Sequence, residues 1–485
     1  MSRKQRPREI VELEIESIGF EGVAIARRDN IVHFVKNAVP GDVITAEITK
    51  KKSRYAEAKI KEVLHYSSRR ETPVCSHFGV CGGCSWQNLQ ITEQRTWKRQ
   101  HVADSFERLG KIPYGELTET LASPRSFHYR NKMEFSFGAS RWLTDEEIGV
   151  ESDDLLHKDF ALGLHIPGRF DKILDVDICH IAPEIAGRLL KVTREAALEF
   201  GAKAYNSREH QGFLRNIVLR TAKASGEIMV VFVTSTILTP EDERMTAWFG
   251  GEFIAQFPEI STVIHAVNHT TSPVATGEPT ILKGSGTITE TVLGVNFRIS
   301  PFSFFQTNSW QLEPFLSAII AAAELKPNDI LWDLYCGTGS ITLPSARQVE
   351  RVFGLELSQG SIADAKANAE FNGITNVEFF AEDLHKPAAI ELLKRLPAPD
   401  VIIVDPPRAG IHQTLLEHLL TVAPKRLVYV SCNPATQARD CAILAERYDV
   451  THTQPVDMFP HTYHVESIAR LDLRETGVVR DAVSP

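Results

Sequence analysis

Two residues far apart in the chain carry the most specific chemistry. Cys432 stands in Tyr429-Val430-Ser431-Cys432-Asn433-Pro434, directly after an apolar run that reads as a strand. A thiol at the carboxyl end of a central strand lies at the crevice where ligands of parallel sheets bind. One reaction needs such a group. Carbon 5 of a pyrimidine is too weak a nucleophile to take a methyl group unaided. Adding a thiolate to carbon 6 makes an enolate and moves electron density to carbon 5, which divides one difficult step in two. A base must then remove the carbon 5 proton. Glu466, in His461-Thr462-Tyr463-His464-Val465-Glu466, can be that base if burial raises its pKa. Taken singly, Cys432 would read as a small buried thiol and Glu466 as a surface carboxylate. The Asn-Pro that follows the strand moves Cys432 to the catalytic side.

A nucleotide site is written in the same third of the chain. The run Asp329-Ile330-Leu331-Trp332-Asp333-Leu334 leads into Tyr335-Cys336-Gly337-Thr338-Gly339, where two glycines let the backbone pass close to a ligand. A dinucleotide fingerprint would need glycine where Thr342 stands, which disfavours NAD or FAD. Glu356 closes the second strand, where a carboxylate can accept hydrogen bonds from ribose hydroxyls, and Asp383 follows the third, in reach of an adenine amino group. Gly-x-Gly followed by this order of acids is the pattern of S-adenosylmethionine-dependent methyltransferases. The fourth strand ends in Asp405-Pro406-Pro407-Arg408, a stiff loop without proline donors; it resembles the Pro-Pro loops of amino-group methyltransferases that act on bases, which implies a methyl acceptor on a nucleobase.

A third group is Cys75-x5-Cys81-x2-Cys84 with a distant Cys179: four thiolates, enough for a 4Fe–4S cluster or a tetrahedral zinc. The spacing does not make two paired Cys-x2-Cys knuckles, so zinc is the lesser option. His77 and His180 are candidate substitutes but read better as neighbours. Gly79, Gly82 and Gly83 leave room for a loop around a bulky cluster.

The elements that must position these residues form three units. Residues 8 to 64 hold short β-rich runs, such as 31–35 and 43–48, with turns at Gly22, Asp29-Asn30 and Pro40-Gly41-Asp42. They predict five strands in an OB-type barrel, a module that binds single-stranded nucleic acid, with Lys50, Lys51, Lys52 and Arg54 on one loop. A middle unit opens with a helix over 93–109 and becomes strand-rich at 127–137, 213–220 and 227–234. Its Arg130, Lys132, Arg215 and Arg220 suit the solvent face of an antiparallel sheet better than a substrate face. From about 300, strands at 329–334, 351–355, 377–380, 401–404 and 426–430 alternate with helical stretches, the grammar of a doubly wound α/β sheet. The expected domains are 1–66, 67–295 and 296–485.

With 485 residues, 43% apolar and 24% charged, the chain is neither disordered, collagen-like nor a disulfide scaffold. No apolar run approaches the roughly 20 residues of a membrane span, and nothing near Met1 reads as a signal peptide, so a cytoplasmic protein is expected. Net charge is −9, yet the first 70 residues carry 15 Lys and Arg against 10 Asp and Glu, an excess of +5 that suits a polyanion steered to one face.

Together these residues resemble the RNA uracil-5-methyltransferase family, in particular its iron–sulfur branch acting on 23S ribosomal RNA. The likeness spans nearly the whole chain and rests most on Ser-Cys-Asn-Pro and His-x-x-His-Val-Glu. It implies a TRAM domain over 1–66, a central α+β domain with 4Fe–4S ligands Cys75, Cys81, Cys84 and Cys179, and a class I methyltransferase domain. It further implies that Gln306, in Phe304-Phe305-Gln306-Thr307-Asn308, Tyr335, Glu356 and Asp405 contact S-adenosylmethionine, with Asp383 as a fifth. Cys432 matches the nucleophile and Glu466 the proton acceptor. Transfer-RNA members usually lack the barrel and the cluster, which favours ribosomal RNA, and the target uridine should be flipped into the crevice. A monomer with no obligate protein partner is expected. Two other readings stay open: an amino-group base methyltransferase using the Asp-Pro-Pro-Arg loop, and a non-catalytic RNA-binding factor.

Overall fold

The structure is a computed structural model and describes residues 9–144, 147–148 and 157–475. Arg3, Lys4, Arg6 and Arg8 of the basic excess, and the last ten residues of the expected third domain, lie outside the described residues.

The amino-terminal unit has six strands among the described residues, one more than expected, in the order Ile10–Glu14, Val43–Lys51, Tyr55–His65, Ile31–Val35, Ala24–Arg28, Ser17–Ile18. Alternate residues point inward, and Leu13, Ala26, Val35, Ile44, Ala46 and Ala56 fill the core. The first strand also packs on Ala24–Arg28, so the sheet curls on itself as an OB-type barrel does. Asp29 and Asn30, with φ of 51° and 61°, make the two-residue hairpin turn between the third and fourth strands.

The middle sheet has eight strands, with Lys132–Gly138, Leu214–Thr221 and Ile228–Thr234 near its centre. Residues 127–131, expected to start the first of these, are not strand: His128 has φ of 50° and Arg130 makes only an isolated bridge to Asn308. Two of the four basic residues are not on a solvent face, while Lys132 is partly exposed and pairs with the exposed Glu134. Arg215 is buried under the Tyr205 ring and donates to the carbonyls of Asn268, Thr270 and Ser272. Arg220 is buried and donates to the carbonyls of Pro301 and Ser303, because those loop carbonyls need donors where no sheet partner exists.

The third sheet runs Val377–Ala381, Arg351–Glu356, Ile330–Leu334, Val401–Val404, Arg426–Ser431, Glu466–Leu473, Tyr448–Val456, Glu116–Leu117. The first five strands are parallel and match the expected ones to within a residue. Glu466–Leu473 enters antiparallel between the fifth and Tyr448–Val456.

The sheets do not part at 67 and 296. Glu116–Leu117 pairs with His452 and Thr453, and the helix Ile91–Asp104 packs on the third sheet with the π-turn Ser105–Gly110 that continues it, so this stretch of the middle unit belongs structurally to the methyltransferase sheet. The 295/296 boundary also cuts a hairpin, Ile288–Val292 with Val295–Ile299, whose apolar residues join the core of helix Ser309–Ala323. Hydrophobic burial continues across the join, since Val218, Val231 and Ile264 of the middle sheet share that core. Among the described residues no helix is long and apolar enough to cross a membrane.

Candidate active site

Strand register builds the site. Ser431 is paired with Ser467 on the antiparallel neighbour, so Cys432 and Glu466 are the next residues outward on two hydrogen-bonded strands. The other expected residues leave the same edge of the sheet: Tyr335 after the first strand, Glu356 at the end of the second, Asp383 after the third and Asp405 after the fourth. Strand order reverses there, between Ile330–Leu334 and Val401–Val404, the position at which open α/β sheets bind ligands. Gln306, Tyr335, Glu356, Asp383, Asp405, Cys432 and Glu466 all line one cavity of about 1120 Å³.

Half of this cavity suits a nucleoside. Gly337 has φ of 56° and nothing within 4 Å of where a Cβ would stand, so its backbone is bare toward the cavity. Its amide donates to Glu356 Oε2 at 3.3 Å while Ser358 N donates to Oε1 at 2.9 Å, which aims the carboxylate. The Tyr335 hydroxyl is buried without a hydrogen-bond partner among the described residues, and Tyr335 itself has φ of 67°, a strained value for a bulky residue. An unpartnered hydroxyl, a bare glycine and an oriented acid fit a ribose-bearing cofactor. Asp333 stands beneath, its pKa pushed up to about 7 by burial, with Thr342 donating to it.

The other half holds the reactive groups. Burial raises Glu466 to about 7, against the pull of Arg408 and Lys98. Burial also raises Asp405 well above the carboxylate range, with Glu466 adding to the effect. Cys432 is pushed up to about 11, first by burial, then by Glu466 and Asp405, while Arg408 draws it down. Arg408 lies 3.5 Å from His464 Nδ1, and its own carbonyl is fixed by Asn433 and Thr436. The sequence reading quoted Arg408 only as part of a loop; its place beside the thiol depends on Asn433, whose side chain both caps the helix Pro434–Leu444 and reaches back to that loop.

Two further residues escaped the sequence reading. Asn131 donates to Gln306 O at 2.9 Å and Ser309 Oγ at 2.7 Å, and Asn308, fully buried, caps the helix Ser309–Ala323 while donating to Met458 O at 2.9 Å. With Arg220 they clamp the segment that delivers Gln306. The only sequence signal was an asparagine before a helix, which is a cap in most contexts.

Cys75, Cys81, Cys84 and Cys179 lie together on a second cavity of about 480 Å³, with Arg130 and His180 on its wall. The loop 75–84 has no regular structure and folds back through Cys81 N donating to His77 O at 3.0 Å. Gly82 has φ of 74°, and a Cβ there would collide with Pro167. Burial pushes Cys81 up to about 11 and Cys84 to about 12. Among the described residues no three His, Cys, Asp or Glu side chains converge closely enough to hold a single metal ion. A zinc ion would need its sulfurs within about 3.8 Å of one another. All four thiols line this cavity, and Cys179, Cys81 and Cys75 lie near enough to Cys84 to add to the rise of its pKa.

Residues 290–473 match the tRNA (Uracil-5-)-methyltransferase family, and residues 4–61 match the TRAM domain. A Bacteroides thetaiotaomicron protein described as an uncharacterized RNA methyltransferase is 41% identical over 456 residues, which cover 94% of this chain and 99% of that one. The chain belongs to the RNA uracil-5-methyltransferase family. This RNA methyltransferase is also 43% identical over 441 residues to a Chlorobaculum tepidum protein described in the same words, covering 90% of each. The Pyrococcus abyssi tRNA (uracil-54, C5)-methyltransferase, solved with S-adenosyl-L-homocysteine, is 26% identical with a TM-score of 0.73 and covers 95% of this chain and 100% of its own. The methyltransferase is therefore an S-adenosylmethionine-dependent enzyme acting on RNA. The share of the chain left out by that tRNA enzyme is smaller than the barrel. Possession of a barrel thus does not separate ribosomal from transfer RNA enzymes, contrary to the expectation from sequence.

Proposed function

We propose that the enzyme methylates carbon 5 of a uridine in 23S ribosomal RNA through a covalent bond between Cys432 and carbon 6. The observation that carries the chemistry is the emergence of Cys432 and Glu466 side by side from paired strands into one cavity; the choice of 23S ribosomal RNA rests on the resemblance to the iron–sulfur branch. Gln306, Tyr335, Glu356, Asp383 and Asp405 would hold S-adenosylmethionine, which when bound supplies an electrophilic methyl group. A flipped uridine enters the remaining space. Cys432, helped toward the thiolate by Arg408, adds to carbon 6, and the electron pair of the 5,6 double bond moves through carbon 5 toward the carbonyl oxygen at carbon 4. Once carbon 5 is methylated, Glu466 takes its proton, the double bond reforms and the carbon–sulfur bond breaks. A carboxylate near pKa 7 is well matched to that task at neutral pH.

Cys75, Cys81, Cys84 and Cys179 would hold a 4Fe–4S cluster, which when bound ties the loop 75–84 to the turn around Cys179. This role is structural, so chemical reduction should leave turnover unchanged; loss of turnover with the cluster intact would refute it.

The decisive experiment mixes the protein and S-adenosylmethionine with ribosomal or transfer RNA transcripts carrying 5-fluorouridine and resolves them on a denaturing gel. Fluorine cannot leave as a proton, so a covalent protein–RNA band should form with ribosomal RNA and be absent from Cys432→Ala. A band with transfer RNA alone would move the substrate to the class named for the Pyrococcus abyssi enzyme, the second reading. No band despite intact binding of cofactor and RNA would favour amino-group methylation.

A further inference from the structure

The helix Ile91–Asp104 buries the wrong kind of face. At spacings of four and three, Gln94, Lys98 and His101 point inward and are 0%, 0% and 5% exposed, where an amphipathic helix would put leucines. Each finds a partner in a different part of the molecule. His101 Nε2 lies 3.1 Å from Ile18 O in the barrel. The Gln94 amide donates to Trp86 O and Leu89 O beyond the cysteine loop, and its carbonyl accepts from His461 N at 2.8 Å. Lys98 Nζ donates to Asp457 Oδ1 at 2.5 Å and to Phe459 O at 3.0 Å. Residues 457 to 465 are the connection that leads into Glu466, and Phe459 lines the active-site cavity.

A buried lysine is costly to desolvate and is a poor choice for stability alone, since an apolar pair of similar size often does as well. What the pair supplies is position and charge. We propose that Lys98 is a positioning residue for the proton acceptor: with Asp457 it fixes the segment that delivers Glu466, and its charge keeps that carboxylate ready to accept a proton. The inference rests on the reading of Glu466 as proton acceptor.

The groups facing Glu466 are Asp405 and Arg408 from the loop after Val401–Val404, Cys432 after Arg426–Ser431, and Lys98 from the helix, with His464 beside Arg408. Arg408 is exposed and screened by solvent, whereas Lys98 is enclosed. Asp457 and Arg95 act on Glu466 through Lys98. Asp457 Oδ2 and Arg95 Nε, buried without hydrogen-bond partners among the described residues, lie 3.9 Å apart, so Asp457 is shared between Lys98 and Arg95 and one positive charge of the three groups is left over.

The test uses the full chain, S-adenosylmethionine and whichever transcript forms the 5-fluorouridine adduct, now with ordinary uridine. Glu466→Gln should accumulate a methylated covalent adduct, because proton removal is the step it lacks. Lys98→Met should accumulate the same adduct, with turnover down by about tenfold to a hundredfold, the scale of a misplaced catalytic group, and KM for RNA unchanged. A merely structural residue would lower adduct and turnover together. The pH profile of adduct resolution supplies the second readout. Lys98→Met removes a positive charge, so the rising limb should move to higher pH. Asp457→Asn removes the partner that keeps the buried Lys98 protonated, so its limb should move to higher pH as well, and the double variant should move no further. Upward shifts that do not add support the proposal. An unshifted limb, or loss of adduct in step with turnover, overturns it. Should Lys98→Met fail to fold, Asp457→Asn alone must shift the limb upward or the proposal falls. If Glu466→Gln itself forms no adduct, the reading of Glu466 fails and takes this proposal with it, a result distinct from failure of the Lys98 variants alone.

Discussion

The molecule keeps thiols in two cavities, and burial pushes both kinds in the same direction. Cys432 reaches about 11, Cys81 about 11 and Cys84 about 12. Their neighbours differ. Around Cys432 stand a guanidinium that draws its pKa down and a carboxylate able to take a proton. Around Cys81 and Cys84 stand chiefly other thiols, each raising the next. A raised pKa therefore does not tell a nucleophile from a ligand. A lone thiol beside a cation and a base can attack and leave, while four thiols around one cavity become anionic together only when a metal cluster offsets their repulsion.

Each side of that contrast can be broken separately. Cys432→Ala should lower methylation by at least about 10³-fold, as removal of a nucleophile does, with the melting temperature within a degree or two of wild type, read by methyl incorporation and thermal melting. A comparable loss of stability would erase the distinction. Cys84→Ala should do the reverse: loss of the visible absorbance of the cluster and a fall in melting temperature of about 10 °C or more, since loss of a metal site is among the largest single-residue effects. Retained cluster absorbance would remove Cys84 from the ligand set.

A smaller effect sharpens the chemistry. Resolution of the covalent adduct should rise about tenfold per pH unit below about 7 and level above it, because Glu466 acts ionised and burial sets its pKa there; a flat profile would exclude it as the base. The smallest effect belongs to Arg408→Met, which should slow adduct formation by about fivefold, the modest scale of an exposed, screened charge. Stopped-time gels would show it, and an unchanged rate would leave the thiol without help from that arginine.

Much of this was legible in the sequence, for identifiable reasons. Four of the five parallel strands are short, apolar and buried on both faces, so their residues announce them, while the edge strand Val377–Ala381 buries only Phe379. Seven candidate residues for chemistry line one cavity because each follows a strand end. The strands that were not foreseen, Tyr448–Val456 and Glu466–Leu473, mix His452, Gln454, Pro455, Arg470 and Asp472 into their pattern, which masks the alternation. Glu116–Leu117 is too short to have a period at all. Arg215 and Arg220 misled, and Lys98 went unread, for one reason. A charged side chain is expected in solvent, and only the loop carbonyls and carboxylate brought to it by distant chain explain its burial.

The pairing of Glu116–Leu117 with His452 and Thr453 has a consequence for how the protein is made. During translation the helix Ile91–Asp104 and this edge strand emerge more than 300 residues ahead of the partners they close upon. Until Glu466–Leu473 is synthesised, its two flanking strands lack the neighbour between them. A product stalled or cleaved before that strand would display unpaired strand edges, a surface open to aggregation and to the chaperones and proteases that police unfinished chains. Closure of the sheet thereby waits on a strand made after both of its neighbours.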